Sequence, residues 1–202
     1  IILIAISAYP LRAKGLFDSK SWWLMAAALA GSLAGDVFLM VSGFFIPGLV
    51  SFLVAHLFYV ALFKSGQRWF PHRGALLATL GIGVAMYAFL WAGGLPPALR
   101  APVAAYVLVI ALMAAQAIGR ATVLRDGPAL LVALGAGFFM LSDSLLATNR
   151  FVQPLPWSQV WVLSTYYAAQ ALIVRGWLLG QQAGGSAPDR SHPTAAMAAI
   201  TA

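Results

Sequence analysis

Apolar runs close to twenty residues long, separated by short polar segments, dominate the pattern of the chain. Six complete runs lie at residues 22–42, 46–63, 74–92, 98–118, 128–147 and 156–179. A helix of about 20 residues crosses the hydrocarbon core of a bilayer, so each run has the length of a span. Alternating segments of about ten residues, typical of membrane barrels, are not seen. The pattern therefore predicts an all-α, polytopic bundle of transmembrane helices.

The two ends of the chain differ from these runs. Residues 1–9 are apolar but too short to span a bilayer. We interpret them as the remainder of a helix whose start is missing, which gives seven visible spans of an expected eight. Residues 181–202 are rich in Ala, Gly, Ser, Pro and Thr and show no packing face. We therefore divide the chain into a helical bundle, 1–180, and a disordered C-terminal tail, 181–202.

Composition supports the same class and excludes several others. Hydrophobic residues make up 62% of the chain and charged residues 8%, and the mean hydropathy is +0.88. These values are typical of an integral membrane protein. The chain has no cysteine, which excludes a disulfide, a thiolate metal site and a cysteine nucleophile. The net charge of +7 is spread over short loops without a dense cluster, so we predict no nucleic-acid partner.

The basic residues predict an orientation. Arg100 and Arg150 fall on one side of the predicted bundle. The other ten fall on the opposite side: Arg12, Lys14, Lys20, Lys64, Arg68, Arg73, Arg120, Arg125, Arg175 and Arg190. Because Lys and Arg accumulate in cytoplasmic loops, this asymmetry predicts a cytoplasmic C-terminus. We expect the bacterial inner membrane as the location.

Two of the five acidic residues, Asp36 and Asp143, fall inside predicted spans. A charged group at the bilayer centre costs at least about 2.5 to 3.5 kcal/mol, so it normally faces the bundle interior and has a function. The segments that carry them, 31–59 and 138–170, have similar layouts and predict a weak parallel repeat. Both aspartates lie within about two turns of the outer helix ends. We expect the two carboxyl groups to meet in one pocket.

One histidine, His56, lies in the middle of the next span, with Phe52 and Tyr59 on the same helix face. A lone buried histidine is commonly a core residue, but opposite the two aspartates it suits a proton carrier or an orienting partner. Asp36, His56 and Asp143 are also the minimum set for a metal. No paired spacing such as HxxxH supports that reading, so we predict neither a metal nor another cofactor.

Further polar residues fall inside the spans. Tyr166 and Gln170 share a helix face, and Tyr106 lies in the middle of an earlier span. They either line a polar pocket or pack between helices. The chain has no GxSxG elbow, phosphate loop or dinucleotide fingerprint in a strand-to-helix context, which argues against serine-hydrolase and nucleotide chemistry.

Two functions fit an intramembrane acid in each half of the chain. One is an enzyme whose two carboxyl groups act together on a lipid. The other is a proton-coupled transporter of a small solute or lipid. The Gly- or Pro-interrupted centres of discontinuous transport helices are absent from the predicted spans, which favours the enzyme.

Four segments are distinctive: GDVFLM at 35–40, FLVAHLFY at 52–59, LSDSLLATNRF at 141–151 and TYYAAQ at 165–170. Together they resemble the YhhN-like family of membrane proteins, the lysoplasmalogenases. The resemblance implies eight transmembrane helices. It also implies a Lys-Pro-Leu-Thr-like motif before the segment that corresponds to Ile1, and the lack of that motif here agrees with a truncated start.

The resemblance implies hydrolysis of the vinyl ether bond of lysoplasmalogens to a fatty aldehyde and a glycerophospho-alcohol. Asp36 and Asp143 would then be the catalytic pair, with His56 as a third catalytic residue. Around the pocket we place Tyr106, Asn149, Tyr166, Gln170, Tyr59 and Ser142 as substrate-binding residues. The expected partners are the lysophospholipid substrate, which enters laterally from the bilayer, and the membrane lipids.

The two aspartates suit this chemistry. Hydration of a vinyl ether needs a proton at the β-carbon, which gives an oxocarbenium ion, and a water activated to attack that ion. Glycosidases handle a similar transition state with two carboxyl groups in different protonation states. The sequence leaves open which aspartate is the acid and which is the base.

Overall fold

The structure, a computed structural model, describes residues 19–185 and forms only helices and connecting turns within that range. The helices are α1 Ser19–Met40, α2 Phe45–Lys64, α3 Arg73–Ala92, α4 Pro97–Leu124, α5 Gly127–Phe151 and α6 Ser158–Gly185. The predicted all-α class is confirmed. The predicted partial span at 1–9 lies outside the described residues.

Five helices, α1 to α5, are long and apolar enough to cross a membrane. The sixth, α6, has 28 residues but is less apolar, because polar residues interrupt its N-terminal half, where Ser164, Thr165 and Gln170 lie. The structure thus supports a polytopic membrane bundle, whereas the count of seven spans stays a prediction.

Several helix ends differ from those that hydropathy predicts. The turn expected after Ala147 is wrong, because α5 continues to Phe151. Its last turns are helical although they are polar, and the Thr148 hydroxyl is satisfied within the helix by donating to the Ser144 carbonyl at 2.8 Å. At the other end of the chain, α6 runs to Gly185. The predicted tail therefore begins inside a helix, and its remainder lies outside the described residues.

Short connections arrange consecutive helices as antiparallel pairs, and α4 packs against α2, α3 and α5. The largest buried side chains of the core come from α1, α2, α4, α5 and α6. They include Met25, Tyr59, Phe63, Met113, Phe139 and Ile173. The residues predicted to share the His56 face, Phe52 and Tyr59, are both buried here.

Glycine allows two of these pairs to approach closely. A Cβ at Gly35 would lie 2.5 Å from the ring of Phe52, so α1 meets α2 directly beside Asp36. A Cβ at Gly135 would lie 2.9 Å from the Ala169 carbonyl oxygen, so α5 and α6 touch backbone to backbone. Small residues at such crossings are typical of packed membrane helices.

The outer surface of the bundle is apolar. Large side chains such as Leu77 and Val84 are 71% and 68% exposed. A soluble protein rarely exposes so many contiguous apolar side chains, whereas lipid tails accept them. Together with the five long apolar helices, this surface identifies an integral membrane protein.

The two ends of the bundle differ in charge. Seven basic residues of the described chain belong to one end: Lys20, Lys64, Arg68, Arg73, Arg120, Arg125 and Arg175. Arg100 and Arg150 belong to the other. Because four helices separate their starts, α1 and α5 run in the same direction, each toward the end with two arginines. The internal repeat predicted from this arrangement is not confirmed.

Candidate active site

Asp36 lies four residues before the end of α1. Its carboxyl group accepts a hydrogen bond from the Tyr166 hydroxyl of α6 at 3.0 Å. The side chain of Tyr166 is buried and packs edge-on against Phe52, with ring centroids 5.9 Å apart. The absent side chain at Gly35 leaves the room that the Phe52 ring occupies. The close crossing of α1 and α2 therefore places the Asp36 carboxyl group next to the Tyr166 hydroxyl. It also places the Phe52 ring against the same tyrosine.

Asp143 lies eight residues before the end of α5. Its carboxyl group accepts a hydrogen bond from the Tyr106 hydroxyl of α4. Asp143 and Asp36 lie within the range of electrostatic interaction, although the two residues are more than a hundred positions apart in the chain. The bundle thus brings two tyrosine–aspartate pairs into the same region.

A third hydrogen bond extends this region toward the core. The hydroxyl of Tyr59 donates to the Oε1 atom of Gln170. Both side chains are fully buried, and the Gln170 amide also interacts with Tyr166. The chain of contacts runs from Tyr59 through Gln170 and Tyr166 to Asp36. All of these residues except the aspartate come from α2 and α6.

His56 lies among aromatic rings. Its imidazole is fully buried and packs edge-on against Phe139 and Tyr106, at centroid distances of 4.6 and 5.3 Å. Within residues 19–185, neither ring nitrogen has a hydrogen-bond partner. His56 therefore reaches this region through packing on Tyr106, the donor to Asp143.

Two other predicted site residues bond to the backbone. The Ser142 hydroxyl donates to the Val162 carbonyl at 3.0 Å and ties α5 to α6. The Asn149 carbonyl oxygen accepts from the Leu155 backbone amide at 2.9 Å and orders the turn after α5. Neither residue lines the cavity described next.

A narrow, partly open cavity of about 70 Å³ lies between α1, α2, α3, α4 and α5. Its walls are mainly aliphatic and aromatic, including Leu49, Phe52, Met86, Leu90, Ile110 and Met140. Polar groups reach it at few places, chiefly Asp143 and Tyr106 in its interior and Arg150 at the end of α5. An apolar pocket with a few convergent polar groups is the usual form of a site for a small organic ligand. Here the walls suit an apolar part of a ligand.

From the sequence, Arg150 was used only to predict the orientation of the chain in the membrane. The residue lies seven positions after Asp143, nearly two helical turns, so both side chains project from one face of α5. That spacing was visible in the sequence, but the predicted helix end at Ala147 concealed it. Phe139, which contacts both His56 and Tyr166, carried no signal beyond its hydrophobicity.

The profile of the YhhN family matches residues 1–177 of the chain. The chain belongs to the YhhN family. The resemblance noted from its four sequence segments is thereby confirmed.

Curated relatives in this family carry the name lysoplasmalogenase. Human lysoplasmalogenase TMEM86B is 36% identical over 150 residues, which cover 74% of this chain and 61% of the human protein. Bovine lysoplasmalogenase TMEM86A is 36% identical over 150 residues, or 72% and 61% of the two chains. A lysoplasmalogenase from Mycobacterium bovis is 30% identical over 167 residues, or 79% and 62%.

The chain spans about three fifths of the length of these curated relatives. No solved structure shows a significant match to it.

Proposed function

We propose that this protein is a membrane-embedded hydrolase that cleaves the vinyl ether bond of lysoplasmalogens, releasing a fatty aldehyde and a glycerophospho-alcohol. The observation that carries the proposal is the pair of carboxyl groups, Asp36 and Asp143, in the same region of the bundle beside an apolar cavity. The names of the curated relatives support the substrate class.

The chemistry requires one proton donor and one proton acceptor. One carboxyl group transfers its proton to the β-carbon of the vinyl ether, which leaves an oxocarbenium ion on the adjacent carbon. The other carboxylate takes a proton from a water molecule as that water attacks the cation. The resulting hemiacetal breaks its carbon–oxygen bond to give the aldehyde and the free glycerol hydroxyl. Glycosidases divide the same roles between two carboxyl groups.

The position of each aspartate suggests its part. Asp143 lines the cavity and so would touch the alkenyl chain, which suits the group that protonates carbon. Asp36 accepts its hydrogen bond from Tyr166, outside the set of lining residues, which suits the base that activates water. Two like charges in one apolar site repel, so one protonated and one ionised carboxyl group is the favoured combination.

The tyrosines and the histidine complete the proposed site. Tyr106 and Tyr166 orient the two carboxyl groups, and His56 supports Tyr106 from behind. Gln170 and Tyr59 hold Tyr166 in place. Ser142 and Asn149 were predicted to bind substrate; we propose instead that they set the position of α5 relative to α6 and the following turn.

The test is to incubate purified protein with a lysoplasmenyl lipid in heavy water and follow the aldehyde by mass spectrometry. Proton transfer to carbon predicts aldehyde with deuterium at the carbon next to the carbonyl, trapped as an oxime before exchange. It also predicts no turnover of the saturated 1-O-alkyl lipid, which has no double bond to protonate. Wild-type protein that is folded yet releases no aldehyde would overturn the proposal.

The transporter remains the competing function. Each described helix is continuous, whereas transport sites are often built where a helix is broken. Acidification of liposomes or uptake of solute by the same preparation, without aldehyde release, would favour transport.

A further inference from the structure

We propose that Arg150 is the binding residue for the phosphate group of the lysophospholipid, so that the cavity measures the substrate from phosphate to vinyl ether. This inference rests on the proposed function. It adds a chemical requirement: the substrate must carry an anionic group close to its ether oxygen.

The first support is position. Arg150 lies in the last turn of α5 and lines the same cavity as Asp143. Seven residues of helix place its Cα about 10 Å nearer the bundle end than that of Asp143, on the same face. Between them, Leu146 and Ala147 also line the cavity. One stripe of α5 therefore runs from a carboxyl group inside to a guanidinium at the mouth.

The second support is the fit to the substrate. In a lysoplasmalogen the glycerol carbons separate the ether oxygen from the phosphorus, roughly 6 Å apart when extended with bonds of about 1.5 Å. A flexible arginine side chain covers the remaining distance. With the vinyl ether beside Asp143, the phosphate would thus reach the guanidinium of Arg150, and the alkenyl chain would fill the apolar part of the cavity.

The third support is the surroundings of the guanidinium. It lies 4.1 Å from the ring centroid of Phe45 and 5.8 Å from that of Phe151. Of the acidic residues in the described part of the chain, Asp126 caps the opposite end of α5, and the other two belong to the site. Stacked on rings, the guanidinium keeps its planar fork of donors for an anion, and phosphate is an anion that such a fork binds with two hydrogen bonds.

The chain offers a matched control. Arg100 lies at the same end of the bundle, on α4, with its guanidinium 3.9 Å from the ring centroid of Trp91. It resembles Arg150 in charge and in aromatic stacking but does not line the cavity. A general effect of positive charge at this membrane surface would involve both arginines equally.

The kinetic test compares Arg150→Gln and Arg100→Gln on two substrates, a lysoplasmenyl-phosphocholine and the corresponding 1-O-alkenylglycerol, which lacks phosphate. We define the preference as the ratio of kcat/KM for the phospholipid to kcat/KM for the alkenylglycerol. We expect Arg150→Gln to raise KM for the phospholipid and so to lower this ratio at least about tenfold relative to wild type. Arg150→Lys, which keeps the charge, should recover part of that preference. Arg100→Gln should keep the wild-type preference. An unchanged preference in Arg150→Gln would overturn the inference.

A binding test does not depend on hydrolysis. Saturated 1-O-alkyl-lysophosphocholine and 1-O-alkylglycerol are added to each protein, and the unfolding temperature is measured. We expect the phospholipid to stabilise wild type and Arg100→Gln more than Arg150→Gln, with no such difference for the alkylglycerol. Inorganic phosphate should stabilise none of them, because it lacks the chain that fills the cavity. Stabilisation of wild type by phosphate alone would instead show a site for free anions and overturn the lipid assignment.

The two tests separate the two failures. If wild type releases no aldehyde but the binding difference holds, the proposed hydrolysis fails and Arg150 remains a phospholipid-binding residue. If aldehyde is released and Arg150→Gln behaves as wild type in both tests, only the assignment of Arg150 fails.

Discussion

Each aspartate of the candidate site accepts a hydrogen bond from a tyrosine on another helix. Tyr166 donates to Asp36, and Tyr106 donates to Asp143. In apolar surroundings a carboxyl group without a donor is expensive to bury, and a directed hydroxyl compensates part of that cost. The same hydroxyls fix where the carboxyl oxygens point, which matters for proton transfer over hydrogen-bond distances.

Replacing either tyrosine by phenylalanine should therefore slow hydrolysis. We expect Tyr106→Phe and Tyr166→Phe each to lower kcat roughly 10- to 100-fold, because each removes the one hydrogen bond that orients a reacting carboxyl group. The matched control is Tyr167→Phe, the same change on the neighbouring, half-exposed ring. The measurement is the rate of aldehyde release. A loss of rate in Tyr167→Phe as large as in Tyr106→Phe and Tyr166→Phe would contradict the role given to the two site tyrosines.

A different result is expected at His56, which contacts Tyr106 and Phe139 by ring packing. His56→Ala should leave a cavity behind Tyr106, lower the free energy of unfolding by about 2 to 4 kcal/mol and reduce kcat. His56→Phe preserves a ring between Phe139 and Tyr106 and should restore most of both losses. Thermal unfolding and turnover are measured together on the two variants. A stable but inactive His56→Phe protein would show that the imidazole itself carries a proton.

At the scale of helices, the site depends on how closely neighbouring elements approach. The α5–α6 crossing at Gly135 positions Asp143 relative to Tyr166, because the two residues lie further along the same pair. Two residues on, an added Cβ at Gly137 meets nothing within 4 Å. The two glycines are thus near neighbours in sequence with opposite structural roles.

Alanine at these two positions should have opposite effects. Gly135→Ala forces a methyl group against Ile173 and the Ala169 carbonyl and should destabilise the protein by about 1 to 3 kcal/mol. Gly137→Ala adds helix propensity in open space and should be neutral or stabilise by up to about 1 kcal/mol. Unfolding temperatures in one detergent provide the comparison. Equal destabilisation by both would mean that α5 and α6 do not pack as described.

Hydropathy located all six described helices, because each has to satisfy its backbone within the bilayer and expose an apolar surface. It placed the end of α5 too early, since Thr148, Asn149 and Arg150 are polar yet remain helical. The pairing of Tyr106 with Asp143 was beyond prediction from the residues. It depends on how α4 is rotated against α5. Hydropathy does not reveal this rotation, because the lipid-facing and the core-facing sides of a membrane helix are both apolar.

In the molecule as a whole, the two ends of the bundle would lie on opposite sides of the membrane. The cavity mouth with Arg150 opens toward the end that carries few basic residues. The positive-inside rule predicts that this end faces away from the cytoplasm. The substrate would then enter from the outer leaflet.

Cysteine labelling tests this orientation cleanly, because the chain has no cysteine of its own. Gln153→Cys lies in the α5–α6 connection and Gln67→Cys in the α2–α3 connection, at opposite ends. We expect an impermeant maleimide to label Gln153→Cys in intact cells and Gln67→Cys only after lysis. The reverse labelling pattern would show the opposite orientation, with the cavity mouth at the cytoplasmic leaflet.

The central claim is that Asp36 and Asp143 act as one catalytic unit, and a double-mutant comparison tests it most directly. The measurement is kcat for aldehyde release from a lysoplasmenyl lipid by wild type, Asp36→Asn, Asp143→Asn and the double variant, each with unfolding temperature recorded. We predict losses of at least about 10³-fold for each single variant and no substantial further loss for the double variant. Near-wild-type turnover by either folded single variant, or losses that multiply in the double variant, would contradict the account.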